Sequence, residues 1–302
     1  MTHRKVYFTL VLCTFFWGAN FSLGKYLVKS IDPLDVAAWR FLIAGFCMLC
    51  YVWLKEPIAW AKLKENIFAL SVMTLIGVVG FNLAFFYGLQ STSPINGSLI
   101  MTLNPTLTVV LAAIVTGAVI TGRQVAGLAL SILGVVIVVT NGSWATLIKM
   151  TFAQGDWLIL FGNLCWACYS IIGRHWIKAI SPLQISAATM TMGALVFIVI
   201  SMGRHGGSLP PIPGTNALLA IMVMALFGTV MAYVWWNNGL HRIGPARTAV
   251  FIDLVPIFTM LISSLQGENA HASQWLGSLL VISGVLLSSG AISLPVQKKI
   301  AA

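Results

Sequence analysis

The chain has 302 residues, of which 59% are hydrophobic and only 8% charged, and its mean hydropathy is +0.93. A soluble domain carries charge on about a quarter of its residues, so this composition excludes a water-soluble globular protein and points to an integral membrane protein. The net charge of +10 lies scattered at the ends of apolar runs, which fits lipid headgroups and membrane topology and excludes a nucleic-acid-binding patch.

A membrane-crossing helix needs about 20 mostly apolar residues. Taken in chain order, the sequence predicts ten, at roughly 6–28, 34–54, 66–89, 95–117, 124–141, 155–178, 182–203, 216–240, 245–266 and 273–293. Continuous apolar runs of this length are helices and not barrel strands. The first run is too long for a signal peptide and lacks a small-residue cleavage site, so it is expected to stay in the membrane. Connections are short, so no soluble domain is inserted. With the N-terminus inside, Arg4, Lys5, Lys55, Lys62, Lys64, Arg123, Arg174, Lys178, Arg242, Arg247, Lys298 and Lys299 fall on the cytoplasmic side. Only Lys29, Lys149 and Arg204 fall outside. This bias puts both termini in the cytoplasm, with the plasma membrane (a bacterial inner membrane) as the expected location.

The five cysteines sit inside apolar segments and the five histidines near segment ends. Cys47/Cys50 and Cys165/Cys168 have C-x-x-C spacing but lack a second Cys or His pair in a polar loop, the histidines form no metal cluster, and no cofactor is expected. No P-loop, H-E-x-x-H, G-x-S-x-G or paired intramembrane carboxylate is present, which argues against an ATP-driven pump within this chain and against an enzyme.

One stretch recurs. Trp17, Gly24, Lys29, Ile31, Pro33 and Leu34 match Trp166, Gly173, Lys178, Ile180, Pro182 and Leu183 at an offset of 149. Gly88-Leu89 matches Gly239-Leu240, Asn104-Pro105 aligns with Val255-Pro256 at offset 151, and Gly134 aligns with Gly284. The expected architecture is an all-α membrane protein of two five-helix units, residues 1–145 and 146–302. An odd number of spans turns the second unit upside down relative to the first. Inverted repeats of this kind mark secondary transporters, with the solute near the midplane between the halves.

The residues also bear a family resemblance. Trp17-Gly18-Ala19-Asn20-Phe21, Lys25, Pro33 and Arg40, then Leu103-Asn104-Pro105 and Leu254-Val255-Pro256, resemble the EamA family of the drug/metabolite transporter superfamily. Gly267-Glu268, Gln274 and Gly277 complete the pattern in the second half, and Gly117, Gln124 and Gly127 in the first. The first half departs from it at Ala118, where an acid is expected, and Arg40 has only Thr189 as its counterpart. The resemblance covers essentially the whole chain and implies a ten-helix exporter or permease of small metabolites such as amino acids.

The candidate site residues follow from chemistry that is costly in a bilayer. Trp17 and Trp166 fall near mid-span, away from the headgroup level tryptophan prefers, and suit a cavity lining; the alternative is packing against small neighbours. Pro105 and Pro256 interrupt matching spans, the best sequence pointer to a transport site, and Asn104 adds a polar edge beside the first. Asp253 is the single carboxylate deep within a predicted span, suited to bind a solute ammonium or to carry a proton as coupling ion. Arg40, roughly 9 Å into its span at 1.5 Å per residue, could attract an anion or gate against Asp32 or Asp35; Lys25 is better read as snorkelling. Asn20, Asn82, Tyr87, Tyr169, Tyr233 and Trp236 supply further polar and aromatic edges. The small-residue faces of spans five and ten are expected to be scaffold or dimer contact, leaving a monomer or homodimer open. The expected partners are the bilayer, a small-molecule solute and a proton. A secondary transporter is the preferred reading; a channel or facilitative permease for a small amphipathic solute is the alternative.

Overall fold

The computed structural model describes residues 3–117, 119–143, 145, 153–244, 248, 250–267 and 270–289. Among these the secondary structure is helical throughout. The helices are α1 (His3–Leu27), α2 (Pro33–Lys55), α3 (Ile67–Ser91), α4 (Pro94–Thr116), α5 (Gly122–Val139), α6 (Gln154–His175), α7 (Pro182–Arg204), α8 (Thr215–Ile243), α9 (Leu254–Leu265) and α10 (Ala272–Ser289). A short helix, Trp60–Glu65, precedes α3. The first eight are long and apolar enough to cross a membrane, whereas α9 and α10 are shorter apolar helices. The ten full spans expected from the sequence are therefore eight spans and two shorter helices among the described residues. The ninth falls short because its first turns are not α-helical: Val250–Asp253 forms a 3-10 turn and α9 begins only at Leu254. The expected end of the tenth lies outside the described residues.

Local chemistry fixes where the helices start. In α2, α4 and α7 a proline at the first helical position follows a capping side chain: Asp32 accepts from the Leu34 N–H, Ser93 from Asn96 and Ser181 from Gln184. Proline loses nothing there, because that N–H has no intrahelical acceptor in any case, and the cap satisfies one of the other orphan donors. Thr121 and Gln124 cap α5 reciprocally.

Three helices are interrupted. α3 passes through a π-helical segment at Thr74–Gly80, and α8 through another at Leu226–Met231. α4 breaks at Thr102-Leu103 and restarts at Asn104-Pro105. The breaks in α4 and before α9 both precede the matched prolines.

Packing between the two sets of five helices is reciprocal. α1 packs on α8 and α9, while α6 packs on α3 and α4; α2 pairs with α7 and α5 with α10. The detail repeats too. Gly88 of α3 abuts Ile159 of α6, and Gly239 of α8 abuts Leu10 of α1. A Cβ on Gly134 of α5 would lie 2.7 Å from the Gly277 carbonyl of α10, and one on Gly284 would lie 2.5 Å from the Gly127 carbonyl. The small faces of α5 and α10 thus meet each other inside one chain, where backbone-to-backbone approach leaves no room for a side chain. The main core lies between α2, α3, α7 and α8, around Phe41, Phe86, Phe197 and Met224.

Candidate solute site

The two π-helical turns bring the helices that carry the matched tryptophans together with their partners. Gly77 in the turn of α3 receives the Tyr169 side chain of α6, and Gly228 in the turn of α8 receives Asn20 of α1. Asn20 Nδ2 donates to the Gly228 carbonyl at 3.3 Å. A π turn changes the hydrogen-bond register and is found frequently at functional sites.

Around these turns α2, α3, α6, α7 and α8 converge. The Trp166 and Tyr169 rings stack at 5.1 Å and 8°, Tyr233 meets Trp166 edge-on at 5.9 Å, and Phe81 lies 5.3 Å from Trp166. The Tyr169 hydroxyl is 3.3 Å from Thr189 Oγ1. Trp166, Tyr169 and Tyr233 are only partly buried although they meet between helices, so the cluster borders open space. Arg40, 7% exposed, is joined to it through Thr229, four residues before Tyr233 on α8, and Asn82, next to Phe81 on α3. Its Nε and Nη2 donate to Thr229 Oγ1 at 3.2 and 2.9 Å, and its Nη1 to Asn82 Oδ1 at 3.3 Å. The guanidinium also sits 5.5 Å from the Phe41 ring and 5.8 Å from Phe86. Asn82 is held in turn by the Val78 carbonyl at 2.8 Å. The sequence-predicted residues Arg40, Asn82, Trp166, Tyr169 and Tyr233 therefore share one place. Thr229, Thr189 and Phe81 belong to it as well and were missed; Thr229 could have been found only by knowing that α3 and α8 carry matching π turns.

Other candidates lie elsewhere. Trp17 pairs with Trp236 at 5.0 Å, 49° apart, further along α1 and α8. Asn104 donates to Asn163 Oδ1 at 2.8 Å, and the fully buried Asn163 donates to the Ile100 carbonyl at 2.8 Å. These amides tie the break in α4 to α6. Asp253, 4% exposed, ends the 3-10 turn before α9, and neither of its oxygens has a hydrogen-bond partner among the described residues. Arg247, Pro245 and Glu268 lie outside the described residues.

Arg40 makes no ion pair with Asp32 or Asp35 among the described residues. At the end carrying the α1–α2 turn those acids face α7: Arg204 Nη1 lies 3.5 Å from Asp32 and 3.0 Å from the Tyr87 hydroxyl. His205 Nε2 is 3.0 Å from Asp35, which also accepts from Ser201 at 2.6 Å. Arg40 is one to two turns deeper along α2, out of their reach. Tyr87 is thus part of a latch between helices of the two sets. Lys25 donates to the carbonyls of Gln90 and Thr92 at 3.2 and 3.0 Å. Beside the latch a vestibule of about 710 Å³ opens between Tyr26, Ser30, Asp32 and Pro211–Ala217. Among the described residues no group of His, Cys, Asp and Glu could hold a metal ion.

A bundle of apolar helices with paired interruptions beside a buried polar and aromatic cluster defines a membrane transport protein. Comparison with known proteins agrees. The model of the EamA-like transporter family matches residues 4–140 and again 153–290, and the chain belongs to that family. It is 41% identical to YyaM, an uncharacterized transporter of Bacillus subtilis, over 98% of this chain and 97% of that protein. It is 27% identical to an uncharacterized transporter of Archaeoglobus fulgidus, over 95% and 98% of the two chains. To YedA, an uncharacterized inner membrane transporter of Escherichia coli, it is 23% identical over 94% and 91%. A crystal structure 17% identical in sequence shares the fold with a TM-score of 0.67, covering 96% of this chain and 98% of the other. The chain is a multi-span membrane transporter, and its relatives are named as transporters and not as enzymes.

Proposed function

We propose that the protein is a secondary transporter in which two five-helix halves, residues 1–145 and 146–302, stand upside down to one another and rock about a solute held at the Trp166–Tyr169–Tyr233 cluster. The observation that carries this reading is the reciprocity of contacts across the halves: Gly77 with Tyr169 against Gly228 with Asn20, and Gly88 with Ile159 against Gly239 with Leu10. A two-fold axis in the membrane plane generates such pairs, and the solute of an inverted-repeat transporter sits near that axis. The excess of Lys and Arg on one side supports cytoplasmic termini in a bacterial plasma membrane. Export of small metabolites such as amino acids fits the aromatic, amide-rich cluster. The small faces of α5 and α10 are used within one chain, which supports a monomer.

Asp253 is suited to carry a coupling proton. A carboxylate buried in an apolar bundle without a partner is expensive when ionised, so it takes up a proton or a cation. Transport by Asp253→Asn with unchanged dependence on pH and on an imposed gradient rules that role out.

The test of the site is a binding screen on the purified protein, followed by counterflow of the hits in Trp166→Ala and Trp17→Ala. Loss in Trp166→Ala is expected. Undiminished binding and transport in both variants removes the aromatic site.

A further inference from the structure

Arg40 is a buried cation with no carboxylate within ion-pairing distance among the described residues. Its hydrogen-bond partners among the described residues are neutral: one threonine hydroxyl and one asparagine oxygen. A guanidinium has five N–H donors. Nε is used once, and Nη1 and Nη2 are each used once, so one N–H remains on each terminal nitrogen. With the Asn82 bond made by the Nη1–H on the Cδ side, these two lie parallel and form a fork that matches the two oxygens of a planar carboxylate. Removing an arginine from water and giving it only neutral acceptors is costly. In a bilayer such a residue marks a pathway or a ligand.

We propose that Arg40 recognises a carboxylate on the transported solute, and that the flat apolar body of the solute lies against Trp166, Tyr169 and Tyr233. The proposal rests on the solute site argued above and adds the chemical class of its substrate. Thr229 and Asn82 fix the orientation of the guanidinium from α8 and α3, so the fork is held ready before the solute arrives. The charge balance selects a monoanion. Of the cations at the α1–α2 end, Lys25 is used by the carbonyls of Gln90 and Thr92 and Arg204 by Asp32 and Tyr87, while Lys29 is exposed in the turn, outside the buried surroundings of Arg40. A single guanidinium neutralises a carboxylate and leaves a phosphate dianion half compensated. The position is also asymmetric: the counterpart of Arg40 in the second half is Thr189, whose hydroxyl meets Tyr169. The charged end of the solute thus has one place to go and its orientation is set.

The test uses matched acids and amides on the detergent-purified full chain, read by tryptophan fluorescence and by thermal shift. The probes are benzoate and benzamide, phenylacetate and phenylacetamide, phenylalanine and phenylalaninamide, with phenyl phosphate as the dianion. The expected result is that at least one acid binds about tenfold or more tightly than its amide, a difference of about 1.4 kcal/mol, and more tightly than phenyl phosphate. In Arg40→Gln the acid and amide should come within about twofold of each other, and Arg40→Lys should recover part of the preference. The proposal is overturned if no acid binds, if amides bind as well as acids, if phenyl phosphate binds best, or if the preference survives in Arg40→Gln. The acid–amide comparison is made on the unaltered protein, so it does not depend on either variant folding. Counterflow of an uncharged solute with no acid preference would sink this proposal and leave the transporter reading standing. Absence of counterflow for every solute would sink the transporter reading itself.

Discussion

Asn20 on α1 and Tyr169 on α6 meet the same kind of partner, a glycine in a π-helical turn, and bring different chemistry to it. Asn20 ends its amide on the Gly228 carbonyl; Tyr169 stacks on Trp166 and reaches Thr189. The same holds for Asn82 and Tyr233, one bonded to Arg40 and the other lying against Trp166. Matched positions build the frame, and the side chains that differ between them give the proposed site one charged and one aromatic side. Tyr169→Phe keeps the ring and loses only the hydroxyl contact, so the fold should stand and binding of an aromatic solute should weaken by less than in Trp166→Ala; a titration followed by fluorescence measures both. Asn163→Ala belongs to the frame. It leaves Asn104 and the Ile100 carbonyl short of partners in a buried place and should cost about 1–3 kcal/mol of stability, seen as a lowered melting temperature, while solute affinity in the folded fraction stays within about twofold. The single residues Arg40, Trp166 and Tyr233 were legible in the sequence because charge and aromatic donors are costly in mid-bilayer. Thr229 and Thr189 were not, because threonine is common in membrane helices and bonds its own backbone without comment.

At the scale of the element, the breaks decide where the site can form. The prolines of α4 and α9 announce two of them, since proline removes a donor and clashes with the preceding turn. The π turns in α3 and α8 carry no such sign: the residues Thr74–Gly80 read as an ordinary apolar run, and the wider turn is fixed by the side chain packed into it from the neighbouring helix. The same blindness hid the shortness of α9, where a 3-10 turn stands in a stretch that is apolar enough to pass for helix. Gly134→Ala tests the α5–α10 brace. Its Cβ would meet backbone on the facing helix, which cannot move aside as a side chain can, so a loss of about 1–3 kcal/mol is expected in thermal unfolding, with no change in solute preference. The latch between α2 and α7 is a second element-level device. Asp35→Asn or His205→Ala removes one of its links, and the backbone amides of 205–216 should then exchange hydrogen faster than in the unaltered protein; unchanged exchange would mean that the vestibule end is held by apolar packing alone.

For the whole molecule, the composition, the duplication and the family all agree on a membrane transporter, and the reciprocal packing gives that class a physical form. α2 packs on α7 and α5 on α10, while α1 packs on α8 and α9 and α6 on α3 and α4, the pattern that the proposed halves require. A motion of one half against the other would act first at the π turns of α3 and α8, where Tyr169 and Asn20 are seated, and so at the solute. Counterflow in proteoliposomes tests this most directly. Vesicles loaded with an unlabelled solute that binds the purified protein should accumulate the labelled solute from outside, transiently and with saturation, and Trp166→Ala or Arg40→Gln should abolish the overshoot. Uptake that rises linearly with concentration without an overshoot, or an overshoot untouched by both substitutions, would contradict alternating access around this site.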